Sequence, residues 1–380
     1  MSVPFVMENV GHLVPYILFI FLFLAFALYG DITRSKAGDW LILCLLILFA
    51  GVRGTLTPDL ERYRELFEEI GAGNGIEIEP SFTFLSHALH WIGLDYHALF
   101  FVYTVITILF TYFAIRNFTD QSKFALLLYA FIPACMLNLF VEMRETSAIA
   151  VTFFALSLSR KGKELKFVRV KMVILAIGSC LLHFSALMFW IILFLGKAFF
   201  SKKHSRPLYL CTLIASFLIP TSALITAINV VAYPILPGKY QAYINTFLLL
   251  ETNLAQSGQV LKSFIYSMLA LVFAFWATKR ASIDTDQLSV NLFFVGVVLL
   301  NITRSFADIS RVSYFFLIFQ LILWPRLLST IRSHTQSMLA AYAVVLFYFA
   351  QFGWGVFFYS TEVGSYVYLN YRNPLFSLGP

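Results

Sequence analysis

The sequence predicts an all-α, polytopic integral membrane protein. It should have about twelve transmembrane or re-entrant helices, both chain ends outside, and amphipathic helices on the outer side. Three observations lead there. Of 380 residues, 60% are hydrophobic and 12% charged, against roughly 25% charged in a soluble domain. Apolar runs recur along the whole chain, and residues 1–380 read as a single polytopic membrane domain. Lys and Arg gather in alternate connections, the pattern that keeps short loops in the cytoplasm.

Spans are expected near 13–30, 40–52, 97–115, 124–141, 146–159, 171–183, 185–200, 207–220, 260–278, 288–303, 311–325 and 337–358. A full crossing needs about 20 apolar residues, fewer where polar ends reach back to the interface. The first run follows "MSVPFVMENVGH", which has no basic n-region, and no small-x-small site closes the run. It reads as a span, not a cleavable signal. "TRSK" (33–36) puts the first connection inside. After the second span comes an outer loop, 53–96, with two short helices. In "TPDLERYRELFEEI", Thr57 can cap, Pro58 suits the first helical position, and Asp59 meets the positive helix end. Leu60, Tyr63, Phe67 and Ile70 line one face, and Glu61, Arg64, Glu65 and Glu68 the other. "EPSFTFLSHALHWIG" (79–93) is a second short apolar helix, of a length that lies in the interface or re-enters.

"RNFTDQSK" lies inside, "VEMRET" (141–146) outside, and "RKGKELKFVRVK" (160–171) inside again. "KAFFSKKHSR" (197–206) is also inside, so 172–196 must cross twice or re-enter and return. A tight pair of short helices or a re-entrant hairpin would place "LLHFSAL", with His183, at an outer turn. The alternative is one long buried helix. A second outer segment, 220–259, contains "LPGKYQAYINTF", with Lys239, Tyr240 and Tyr243 close together. Tyrosines at that level serve as interfacial anchors, or else stack on sugars. "TKR" (278–280) and "PRLLSTIRSH" (325–334) complete the inner set, with "TRSFADISR" (303–311) outside. The positive balance of +7 thus belongs to membrane orientation, and no nucleic-acid partner is expected. Cys44, Cys135, Cys180 and Cys211 lie in apolar runs without paired spacing, so neither a disulfide framework nor a zinc site is expected.

The outer side carries Arg53, Arg62, Arg64, Arg144, Arg304, Arg311 and Arg372, with Lys239 and Lys262 its lysines. Arginine matches phosphate and carboxylate with a planar fork. Burying a charge at a span costs about 2.5–3.5 kcal/mol on insertion scales, which something must offset. One reading is local ion pairing. Glu142 and Glu145 flank Arg144, and Asp308 is spaced to share a helical face with Arg304 and Arg311. The other reading is a shared anionic ligand, which explains why the arginines gather on one side.

These residues form a recognisable pattern. "GVRG…TPDLERYRELF" resembles the arginine followed by Asp-x-x-x-Tyr-x-x-x-Phe of EpsG-like polysaccharide polymerases, a family grouped with Wzy-type O-antigen polymerases. "MRETSAIAVTFFAL" is similar to its Arg-containing middle span, and "LLHFSALMFW" to its His-x-Ser-Ala turn. "KYQAYI" is similar to its Tyr-pair segment, and "RVSYFFLIFQLILWP" to its later Arg…Tyr-Phe span. The resemblance runs in order from about residue 50 to the end. Pro58 stands where the family commonly has Gly before the Asp, and Glu145 where Gln often follows the middle arginine.

The resemblance implies a GT-C-like architecture in the bacterial inner membrane, multi-pass, with the active site facing the periplasm. It implies joining of oligosaccharide repeat units carried on undecaprenyl diphosphate. Donor and acceptor are both lipid-linked, and the glycan moves to the non-reducing end of another unit. Membrane lipid is a partner, a chain-length regulator is a candidate protein partner, and no metal, nucleotide or other cofactor is expected. Such chemistry needs a cationic clamp for the departing diphosphate and a base for the acceptor hydroxyl. Arg53, Arg144, Arg304 and Arg311 are the clamp candidates. His183, Glu142 and Asp308 are the base candidates, His183 first because its ordinary pKa lies near working pH. Asp59, Tyr63, Tyr240 and Tyr243 would orient substrate. The rivals are an O-antigen ligase, which expects a larger late outer loop, and a lipid-linked oligosaccharide flippase or transporter, which expects charges at mid-membrane.

Overall fold

A computed structural model describes residues 10–33, 35–53, 58–76, 78–159, 165–219, 230, 256–279, 284–304 and 307–358. Among them the regular elements are all helical. Two compact units are present, Met1–Ala186 with Leu328–Pro380, and Leu187–Leu327.

The first unit opens with α1 (Val10–Ile32) and α2 (Ala37–Gly51). They approach closely at glycines: a Cβ on Gly38 would lie 2.5 Å from the Cα of Gly30. After Arg53 come α3 (Pro58–Gly71) and α4 (Pro80–Trp91). As expected from its apolar face, α3 buries Leu60, Phe67 and Ile70. Its arginines pair within the helix, Arg62 with Glu65 at 2.9 Å and Arg64 with Glu61 and Glu68. For these two, local ion pairing is the observed arrangement. Phe67 stacks on His90 of α4, ring centroids 4.1 Å apart, and His90 Nε2 sits 2.8 Å from the Phe67 carbonyl oxygen. Gly73 and Gly93, just past the two helices, take the left-handed backbone (φ 84° and 77°) that ends a helix at little cost in glycine.

The core of this unit is α5 (Tyr96–Phe118) packed on α8 (Met143–Leu158). Small hydroxylated residues let the backbones approach and hydrogen-bond across the seam. Ser147 donates to the Tyr103 carbonyl at 3.0 Å and lies 2.8 Å from Thr107 Oγ1, while Asn117 donates to Ser157 at 2.8 Å. The expected span 124–141 is broken. It forms α6 (Ser122–Phe131) and α7 (Pro133–Val141), bent by 59°. Pro133 has no amide to donate and disfavours helical backbone in the residue before it; Ile132 is accordingly extended, at ψ 114°. α9 (Leu165–Leu182) packs on α8, and α10 (Ser185–Leu195) follows after only two residues. The region 172–196 is thus two helices that meet at His183–Phe184, not one long helix. α18 (His334–Phe358) covers α6 and α7.

In the second unit, α11 (Lys197–Phe200) and α12 (Arg206–Leu218) precede α13 (Gln256–Lys279) and α14 (Asp284–Ile302). Buried amides tie them. Asn291 donates to the carbonyls of Phe199, Phe200 and Lys202, and Asn301 donates to Ser216 and Ser267. Next come α15 (Ala307–Ser310), a 3-10 turn (Arg311–Ser313), α16 (Tyr314–Leu317) and α17 (Gln320–Leu328). Arg304, Asp308 and Arg311 therefore do not share one continuous helical face: α14 ends at Ile302, and Arg304 stands in the turn beyond it.

Among the described residues, five helical stretches are long and apolar enough to cross a membrane: Leu13–Ile32, Tyr96–Phe118, Val260–Lys279, Arg311–Leu328 and His334–Phe357. The bent pair α6–α7 makes a sixth. Ala37–Gly51, Ser185–Leu195, Arg206–Leu218 and Gln287–Ile302 are apolar but shorter. The sequence count of about twelve includes such short helices as spans or re-entrant segments.

Candidate functional site

Three helix ends of the first unit converge on one carboxylate. Glu79 precedes α4, where Pro80 occupies the first helical position. Arg144 lies in the first turn of α8, and His183 lies at the break between α9 and α10. One Glu79 oxygen accepts a hydrogen bond from Arg144 Nη1, and the other lies 2.6 Å from His183 Nδ1. The carboxylate side chain is 9% exposed, Arg144 17% and His183 26%: the acid is enclosed while its partners reach the surface. Burial pushes the Glu79 carboxyl upward, but the His183 hydrogen bond and the Arg144 charge outweigh it and hold the group below its ordinary value.

Aromatic rings wall this cluster. The Arg144 guanidinium carbon sits 4.9 Å from the Tyr63 ring centroid and 5.7 Å from that of Phe82, and Arg144 Nη2 is 3.5 Å from the Tyr63 hydroxyl. Burial raises the Tyr63 phenol, partly countered by Arg144, so the hydroxyl stays protonated. Tyr103 lies behind Phe82 and shares a 3.2 Å hydrogen bond with Ser81. A cation in the first turn of a helix works against the helix dipole, which favours anions there. Glu79 offsets that penalty, and the same helix end with Arg144 suits a phosphate.

The backbone at His183 explains its position. Its amide donates to the Ser179 carbonyl, closing α9, and its carbonyl accepts from the Ala186 amide, opening α10. Ser185 donates to Glu145 at 3.2 Å, which ties the start of α10 to α8.

Matches to known proteins bear on this geometry. The model of the EpsG family matches residues 39–373. The chain belongs to the EpsG family. That membership carries polysaccharide biosynthesis, an exopolysaccharide- or O-antigen-polymerase-like function, and lipid-linked saccharides as the general substrate class. No curated protein and no solved structure matches the chain.

The other expected site residues of this EpsG-family chain are placed differently. Arg53 is fully buried; it donates to the carbonyls of Ala50 and Leu139 and, at 3.3 Å, to Thr104, with the rings of Phe100 and Phe140 over its guanidinium. It caps the C-terminal ends of α2 and α7. Arg304 does the same in the second unit, donating to Asn301 at 2.6 Å and Phe217 at 3.1 Å, near the ends of α14 and α12. Arg311 heads the 3-10 turn of that unit. Glu142 forms the junction of α7 and α8, its amide donating to Asn138 and its carbonyl accepting from Thr146. Asp59 stands exposed in the first turn of α3. Tyr240 and Tyr243 lie outside the described residues, and of Asp308 only the backbone is described. Glu79 was not among the expected residues. Its one signal is an acid directly before Pro80, at the start of a short apolar helix. A separate cavity of about 640 Å³ in the first unit, lined by Asp31, Lys36, Asp39, Lys123 and His334 among others, holds none of the expected site residues.

Proposed function

We propose that this EpsG-family chain is a polymerase of O-antigen or exopolysaccharide repeat units. It transfers a glycan from undecaprenyl diphosphate to the non-reducing end of another lipid-linked unit, at the periplasmic face of the inner membrane. The observation that carries the reading is the meeting of Arg144 and His183 on Glu79. A phosphate-binding cation and a base are thereby held together at helix ends, as glycosyl transfer from a diphosphate requires.

In this reading His183 takes the proton of the acceptor hydroxyl. The acceptor oxygen bonds to the anomeric carbon of the donor sugar. The bond from that carbon to the phosphate oxygen breaks, and its electron pair leaves on the diphosphate, where Arg144 meets the charge. Tyr63, half-buried beside Arg144, offers a hydroxyl to a sugar, and the buried Phe82 and Tyr103 support it from behind. Arg311, Asp308, Tyr240 and Tyr243 are substrate-contacting candidates on the sequence pattern alone. The charged cluster lies at helix ends rather than within a span, which favours a transferase over a flippase.

The test is the ladder of glycan chains on a gel, normalised to protein level. Arg144→Lys keeps the charge but loses the planar fork, so long chains should disappear while lipid A core with a single repeat remains. Arg311→Lys should do the same. A full ladder in both variants would rule out bidentate diphosphate binding. Loss of the single-repeat band as well would favour the ligase.

A further inference from the structure

We infer that Glu79 is a positioning residue: one carboxylate oxygen fixes the tautomer and direction of the His183 imidazole while the other holds Arg144. The inference rests on the polymerase reading above.

The chemistry follows from donor and acceptor types. An ionised carboxylate only accepts hydrogen bonds, so the 2.6 Å contact requires the proton on His183 Nδ1. The neutral ring then carries its lone pair on Nε2, the nitrogen turned away from Glu79. Nε2 is the end that can take a hydroxyl proton. When it does, the imidazolium charge forms beside the carboxylate and is stabilised there. An acid that orients a histidine in this way raises its basicity without itself taking the proton, the logic of a Ser-His-Asp triad.

The charged and titratable groups around the pair come from several elements. Glu79 approaches from the segment before α4, and Arg144 through Glu79 from α8. Glu145 reaches it through Ser185, with Tyr63 and Glu142 beyond Arg144 and Tyr103 behind Ser81. Glu79 touches both the base and the cation.

The experiment uses full-length protein in lipid nanodiscs. The probe is lipid-linked repeat units extracted from a strain lacking the polymerase gene. Initial rates of chain growth are read against pH. For Glu79→Gln the expected kcat is lower by about 100-fold or more, with the donor KM changed far less. The acid limb of the pH profile should move to lower pH, because a histidine without its carboxylate is a weaker base. His183→Gln should lose as much, and the double variant little more, since the two act as a unit. No chain growth by the wild-type protein would overturn the polymerase reading and this inference with it. Chain growth by the wild type, with wild-type kcat in Glu79→Gln, would overturn the inference alone. So would a loss confined to donor KM with the acid limb unmoved. Should Glu79→Gln not accumulate, Glu79→Asp decides: the shorter acid cannot span both partners. Its kcat should fall on the order of 10- to 100-fold with the acid limb near that of the wild type. Undiminished kcat there overturns the inference.

Discussion

Arg53 and Arg144 have the same side chain and opposite surroundings. Arg53 is enclosed and gives its donors to backbone carbonyls at two helix ends, which neutral acceptors and the helix dipole jointly stabilise. Arg144 faces an acid and two rings at a surface-reaching position. Arg53→Ala should therefore cost folding, by more than about 3 kcal/mol from the charged hydrogen bonds lost. Protein level in the membrane should drop, while Arg144→Lys should accumulate normally. Normal accumulation of folded Arg53→Ala would sink the capping role. Glu79 gives a pH prediction at the same scale. Its folded pKa lies below the unfolded value, about 4.3 for a free glutamate. Its pairing thus contributes stability that is present at neutral pH. That stability is lost as pH falls through the unfolded value and then the folded one. The melting temperature of detergent-solubilised protein should fall between pH 6 and pH 3, and Glu79→Gln should flatten part of that fall. An equal slope in the variant would contradict the pairing. The arginines could be picked out in the sequence, but carbonyl acceptors leave no mark in it, so the capping arginines looked like ligand-binding ones.

Helix-scale packing is set by small residues where backbones touch. At the α1–α2 crossing, a methyl group on Gly38 would meet the Gly30 Cα and the Phe26 carbonyl oxygen, which are backbone atoms and cannot rotate away. Gly178 in α9 has open space around it. Gly38→Ala should destabilise by roughly 1–3 kcal/mol, the range for overpacking. Gly178→Ala should stay within about 0.5 kcal/mol. Melting temperatures of the two variants check this, and equal shifts would show that α1 and α2 are not in close contact. The break at Ile132–Pro133 and the meeting of α9 and α10 at His183 belong to this scale too. The first follows from proline chemistry already present in the sequence, although the apolar run conceals it. The second was foreseen from the basic loops on either side, whose placement limits the length left for crossing.

Orientation belongs to the whole molecule. The Lys- and Arg-rich stretch 160–171 should be cytoplasmic and the segment 53–96 external. A single cysteine at position 74 should react with an impermeant label added from outside, and one at position 162 should not. The reverse result would put Glu79 on the wrong side for a periplasmic reaction. By itself the sequence determined the helical membrane class and the arginines set apart from the basic loops. These are local quantities: the length of an apolar run and the charge of the residues beside it. Only the tertiary structure decided that Glu79 joins Arg144, 65 residues away, to His183, 104 residues away. It also decided that Arg53 and Arg304 close helix ends. Such partners are chosen by how helices pack, because a carboxylate that must leave water takes whichever donors the packed helix ends bring within hydrogen-bond reach.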